Sequence, residues 1–378
     1  MPAAQIPADQ TSADRTSADR VDPASGLDAY REGGFFFASP LGVVTAQGAG
    51  DRYGGVVPPG RTAVGALPFR PDVPPRLTVP RAVLRGAPLH TVSLPERPTP
   101  GGRWLDQRGD AESYTAGVRR ALEAMAGGAL DKVVLARTLD LTAAERIDVR
   151  QVLAALAARD PRGYTFATDL GGGTLVGTSP ELLVRRTGRD VVSNPLAGSR
   201  PRGADPEQDG RNATELLSSP KDLREHAFVV GAVADALAPF CRELVVPSAP
   251  ELLPTRTMWH LSTKVTGTLR DEGTSALELA AALHPTPAVC GVPVEAARSL
   301  IGELEPFDRG FYTGLVGWTD DRGDGEWVIA IRCGEVTDRT LRLYAGAGVV
   351  PGSTPAAELA ETSAKFRTFL GALGLKES

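Results

Sequence analysis

Two hydrophobic rhythms take turns along the chain. SYTAGVRRALEAMAGGAL, from Ser113, spaces its apolar residues three and four apart and stops at Gly127-Gly128, which predicts an amphipathic helix. DKVVLARTLDL is a continuous apolar run and predicts a strand. DVRQVLAALAARD returns to the helical period and is closed by Pro161. YTFATDL and TLVGTSPELLVRR, parted by three glycines, predict a hairpin and then a strand leading to an acid, Glu181. DVVSNPLAGSRPRG predicts a strand running into a tight loop at Gly198. KDLREHAFVVGAVADALAPF predicts a helix, TMWHLSTKVTGTLR a strand, and ALELAAALHP and PVEAARSLIGELEP two more helices. FYTGLVGWTDDRGDGEWVIAIRCGEV predicts one long hairpin turning between Asp321 and Gly325. LRLYAGAGVVPG predicts a strand into a glycine-rich turn, and PAAELAETSAKFRTFLGAL a final helix.

Ahead of Arg103 the pattern is shorter. Residues 1–26, with the polar repeat TSADRTSADR, have little to bury and are expected to be a disordered tail. Folded structure is expected near Tyr30, with GGFFFAS as a strand, and 58–100 reads as short strands and proline-rich loops. Several hairpins without strict strand–helix–strand alternation predict an α+β fold, with large antiparallel sheets and helices packed outside. Residues 27–104 are expected to be the N-terminal part of the same unit as 105–378, since nothing near Arg103 reads as a linker.

Composition narrows the classes. The 378 residues, 42% hydrophobic and 23% charged, suit a globular chain. A net charge of −5, a pI near 5.6 and no basic run argue against a nucleic-acid surface. No stretch of about 18 apolar residues is available to span a bilayer, and MPAAQIPADQ lacks the features of a secretory signal. Cys241, Cys290 and Cys333 are odd in number and widely spaced, which suits a reducing cytoplasm.

Candidate chemistry sits on two helices. Asp222 and Glu225 are three apart on one, Glu358 and Glu361 three apart on the other, so each pair shares a face. Carboxylates converging without a cation would repel; a hard divalent ion such as magnesium removes the conflict. The plainer reading gives Asp222 to helix capping after Ser219, Glu358 to the helix dipole and Glu361 to an ion pair with Lys365. Lys132, leading an apolar strand, either reaches back to water or acts as a desolvated base. Glu181 is either an edge acid or a general acid. Arg332 in VIAIRC needs a planar partner, internal or substrate-borne. Gly346 in YAGAG allows close backbone approach, and His260 and His284 have no nucleophile partner in the sequence. Together these residues suit an enzyme of small carboxylate substrates.

Taken in order over about 105–375, the segments DKVVLART, GTSPELLVRR, NPLAGSRPRG, KDLREH, WHLST, LHPTPAVCG, ELEPFDRGFYTGLVGW, GEWVIAIRC and LYAGAGVVPGSTPAAELAETSAKF resemble the chorismate-utilising enzymes. The closest likeness is to isochorismate synthases of the siderophore (catechol) type. The resemblance implies an anthranilate synthase component I-like fold, a sandwich of large antiparallel sheets, with 105–378 as the chorismate-binding catalytic domain. It implies a magnesium ion on Glu225 and Glu361, supported by Glu358 and Asp222. It implies Lys132 as the water-activating base, acting as the neutral amine, and Glu181 as the general acid. Gly198, His260, Arg332, Gly346 and Lys365 become substrate contacts. The implied reaction adds water at C2 of chorismate with loss of the C4 hydroxyl. Ala197 stands where a lysine-nucleophile relative carries lysine. Ala288 favours the synthase, whereas Tyr312 resembles the salicylate-forming enzymes and Val289 replaces a larger residue. Salicylate synthase is therefore the second reading and a non-catalytic carboxylate binder the third. Chorismate is the implied partner, and a monomer the default.

Overall fold

The computed structural model describes residues 20–21, 23–47, 50–92 and 103–375. In the strand Phe35–Ser39, Phe35 and Phe37 face one way and Phe36 and Ala38 the other, the two-residue period of a strand. Both sets are buried, so this strand needs cover on both sides. Phe35 and Phe37 join Val64, Phe166, Leu182, Val316 and Val328 in a core between two large sheets. Phe36 and Ala38 join Leu153, Leu156, Phe366 and Leu370 beneath helices Val149–Arg159 and Pro355–Ala372. On the far side, Val184, Trp327 and Ile329 meet Val233, Leu237 and Leu279 of helices Pro220–Leu237 and Ala276–Leu283. The result is a helix–sheet–sheet–helix stack, the α+β sandwich expected. Each buried phenylalanine contributes roughly 1.5–3 kcal/mol relative to exposure.

Among the described residues the sheets have eleven, nine and three strands. Pairing is antiparallel throughout them, save Arg20–Val21, which lies parallel to Arg85–Gly86. N-terminal strands extend one end of each large sheet and pair there with later strands. Phe35–Ser39 lies between Gly42–Gln47 and Tyr164–Asp169, and Thr62–Leu67 between Arg76–Val79 and Leu315–Asp320. Residues 27–92 are thus built into the same unit as the rest.

The chain passes between the two large sheets at adjacent places. Thr174–Ser179 belongs to the eleven-stranded sheet and Leu182–Thr187 to the nine-stranded one, so Pro180-Glu181 is a crossover. Gly325–Ile329 and Cys333–Thr337 change sheets in the opposite direction through Ala330-Ile331-Arg332. The crossovers are stitched together: Thr178 N–H donates to the Arg332 carbonyl (3.1 Å) and Ile329 N–H to the Glu181 carbonyl (3.3 Å).

Four sequence expectations are corrected. Of the expected tail, 1–19 lie outside the described residues, but Arg20–Val21 is a strand and Pro23–Ala29 a helix, so ordered structure begins before residue 27. TMWHLSTKVTGTLR is two strands, Met258–Ser262 in the three-stranded sheet and Val265–Leu269 in the nine-stranded one. PLAGS is no loop but part of strand Leu196–Pro201; pairing slips between Leu196 and Ser199, and Gly198 takes φ +77° there. The long hairpin ends at Ile329, because Arg332, with φ +51°, turns the chain into the other sheet. A further helix, Pro206–Ser218, had no strong apolar period to announce it.

Candidate active site

Glu181 occupies the first crossover. Its backbone N–H donates to Ser179 Oγ (3.2 Å), and its Oε1 accepts the Leu196 N–H (3.2 Å). Burial pushes its carboxyl up to about 7, against the opposing pull of the Leu196 N–H and the charges of Lys132 and Lys365. A carboxyl so placed still carries a proton near neutral pH, as a general acid must.

Arg332 occupies the second crossover. Its guanidinium donates to Thr368 Oγ1 (3.0 Å) and His260 Nε2 (3.2 Å), neutral partners rather than a carboxylate. Burial lowers it to about 10, partly offset by Glu361, Asp160 and Tyr312, so it stays charged. Because a guanidinium only donates, His260 Nε2 accepts, which puts the imidazole proton on Nδ1, directed at Ser199 Oγ (2.7 Å). Burial and then the charges of Arg332 and Lys365 hold His260 well below its usual range, hence neutral. The Ser199 hydroxyl proton is left free to point into the cleft.

The acids come from two helices, as expected. Helix Pro220–Leu237 starts with Ser219 accepting the Asp222 N–H (3.2 Å), and Pro355–Ala372 with Thr354 accepting the Ala357 N–H (3.3 Å). Each glutamate here has its own lysine: Lys132–Glu225 at 2.9 Å, Lys221–Glu358 at 3.3 Å and Lys365–Glu361 at 2.7 Å. Lys365 also donates to the Gly346 carbonyl (2.8 Å). Burial pushes Glu225 up, but Lys132 and then Lys365 and Lys221 outweigh it, so its carboxyl lies below the usual range. Glu358 lies above that range, because burial and the like charge of Glu361 outweigh Lys221. Gly348 matters here: a Cβ on it would come 2.4 Å from Glu225 Oε1.

The remaining wall is braced from behind. Tyr312 stacks on Tyr344 with ring centres 4.8 Å apart. Arg309 grips Glu305 through two hydrogen bonds (2.5 and 2.8 Å) and donates to the carbonyls of Val289 and Val134. Thr313, at φ +57°, is held by its N–H to the Ala330 carbonyl and by Arg309 on its hydroxyl.

These groups surround a cleft of about 730 Å³ including its open mouth. Glu181, Gly198, Glu225, His260, Ala288, Tyr312, Arg332, Gly346, Glu361 and Lys365 all line it. Lys132 is fully buried just behind the lining and reaches it through Glu225. Glu358 lies one turn behind Glu361, and Asp222 is not part of the lining but backs the Gly198 bulge, its Cβ 3.1 Å from where a Gly198 Cβ would stand. Ser199, Thr313, Tyr344 and the Lys221–Glu358 pair escaped sequence reasoning. Ser199 alone had a signal, its place beside Gly198.

A hard divalent cation suits this donor set. Glu225 and Glu361 present carboxylate oxygens to the cleft, and Glu358 Oε2 is buried without a hydrogen-bond partner. Among the described residues no three acidic, histidine or cysteine side chains form a complete protein cage. An ion here would have two protein carboxylates, with other positions left to water and a ligand's oxygens.

Residues 92–374 match the family model for chorismate binding enzymes. The chain is 49% identical over 384 residues to isochorismate synthase DhbC of Bacillus subtilis, covering 92% of this chain and 96% of that one. It is 40% identical over 323 residues to isochorismate synthase EntC of Escherichia coli, covering 82% and 81%. Among solved structures, DhbC from Bacillus anthracis superposes with TM-score 0.86 at 46% identity, covering 93% of this chain and 99% of that one. Anthranilate synthase component I from Streptococcus pneumoniae, at 20% identity and TM-score 0.69 over 90% of each chain, shares the fold.

Proposed function

Since the chain belongs to the chorismate binding enzyme family, we propose that it is an isochorismate synthase, a hydroxymutase that adds water at C2 of chorismate with loss of the C4 hydroxyl. One observation carries the reading. A carboxyl held up to about 7, Glu181, shares a cleft with a buried arginine that has no carboxylate at hydrogen-bond distance, and a buried lysine backs the same cleft. Chorismate would supply the carboxylate that Arg332 lacks.

Arg332 and Lys365 hold carboxylate oxygens and fix the ring. Lys132 takes a proton from the water whose oxygen bonds to C2. Glu181 gives a proton to the C4 hydroxyl, whose C–O bond breaks as the ring double bonds shift. One water enters and one leaves; Lys132 ends protonated and Glu181 ionised, and solvent exchange restores both. Glu225 and Glu361, with Glu358 behind, would hold magnesium, which would supply a fixed positive charge for a substrate carboxylate. We further read the protein as a cytoplasmic monomer whose product feeds a siderophore or another aryl-carboxylate natural product.

Incubation with chorismate and MgCl₂, followed by chromatography, tests this. Isochorismate is expected, carrying one heavy oxygen at C2 when made in ¹⁸O-water. Salicylate plus pyruvate would instead favour the second reading, which the buried Tyr312 against Tyr344 keeps open. No turnover at all would sink both.

A further inference from the structure

We propose that Lys221 is a tethered counter-ion: it holds the acidic end of the cleft and yields that place to the divalent cation, so its charge sets metal affinity. This rests on the magnesium reading above. Lys221 sits in the first turn of helix Pro220–Leu237, where the dipole disfavours a cation. A local rule broken in this way needs a compensating partner, and Glu358 is that partner at 3.3 Å. Lys221 also lies within the field of Glu225 and Glu361.

The three Lys–Glu pairs balance one another charge for charge. A dication added to this balance must displace an ammonium or tolerate its repulsion. Lys132 has no route out, being fully enclosed. Lys365 is 19% exposed and also bonded to the Gly346 carbonyl. Lys221 is 41% exposed, on a long flexible stem, while Glu358 stays behind at 1%. Lys221 is therefore the group that can swing into water and leave a carboxylate for the ion or its bound water.

Calorimetric titration of the full chain with MgCl₂, without chorismate, tests this on wild type, Lys221→Gln and Lys221→Arg. Lys221→Gln is expected to bind magnesium about three- to tenfold more tightly, and Lys221→Arg about as wild type. Equal or weaker binding by Lys221→Gln overturns the proposal while leaving the magnesium reading intact. A wild type that binds no magnesium removes both. On wild type alone, acylation of Lys221 followed by mass spectrometry should rise when magnesium is added; unchanged labelling counts against displacement.

Discussion

Glu181 ties the chemistry to pH. Its carboxyl is raised from the usual carboxylate range to about 7, so the protonated form it needs as an acid is lost as pH rises through that value. The forward rate should fall on the alkaline side of about pH 7, read from a pH profile of kcat/KM. Glu181→Gln should lower kcat by roughly 10²–10⁴-fold and abolish that limb; a retained limb would assign it to another group. Stability follows the same sign. Because the folded state holds this proton more tightly than the unfolded one, stability declines between about pH 4.5 and 7, by roughly 3 kcal/mol for this group. The decline should shrink in the glutamine variant, measured by urea unfolding. Lys132→Ala should remove turnover and leave Glu225 without its closest cation; a variant with full rate would end its assignment as base. Spacing alone singled out only the acidic pairs, Asp222 with Glu225 and Glu358 with Glu361; Lys132 and Glu181 became legible through family likeness. The Lys–Glu partnerships were not legible, since Lys132 and Glu225 come from a strand and a helix far apart in the chain. Lys221 looked like any surface lysine.

Elements were more legible than their junctions. The amphipathic helices and long strands fall where the periods place them, because a helix stripe or strand face must be buried against something. The breaks at Thr263 and Arg332 escaped, because apolar text continues through both and only the partner sheet changes. Helix Val294–Leu304 offers a test of how such elements are locked to the cleft. Just past its end, Glu305 accepts the Ala136 N–H of strand Lys132–Ala143 and is neutralised by Arg309, both side chains 2% exposed. Arg309→Met would strand a buried carboxylate, with an expected loss of about 3–5 kcal/mol in urea unfolding. A loss under about 1 kcal/mol would mean that Glu305 simply takes up a proton or reaches water.

The whole molecule should unfold as one. Residues 35–39 and 62–67 belong to different sheets, so a chain starting at residue 103 would leave Tyr164–Asp169 and Leu315–Asp320 each short of one strand partner and strip Phe35, Phe37 and Val64 from the core between the sheets. Such a truncation is expected to fail to fold, and the full chain to show one calorimetric transition; two separated transitions would refute the single unit. Glu181 and the Arg332 guanidinium, meanwhile, ride on neighbouring seams where the chain trades one sheet for the other, each seam bonded to its twin. The two layers cannot slide or rotate relative to each other without dragging both groups. Substitutions deep in the inter-sheet filling, such as Phe166→Leu, should thus register at the bound ring as a shifted KM even though Phe166 does not line the cleft, making the sandwich itself the gauge block against which the reacting atoms are set.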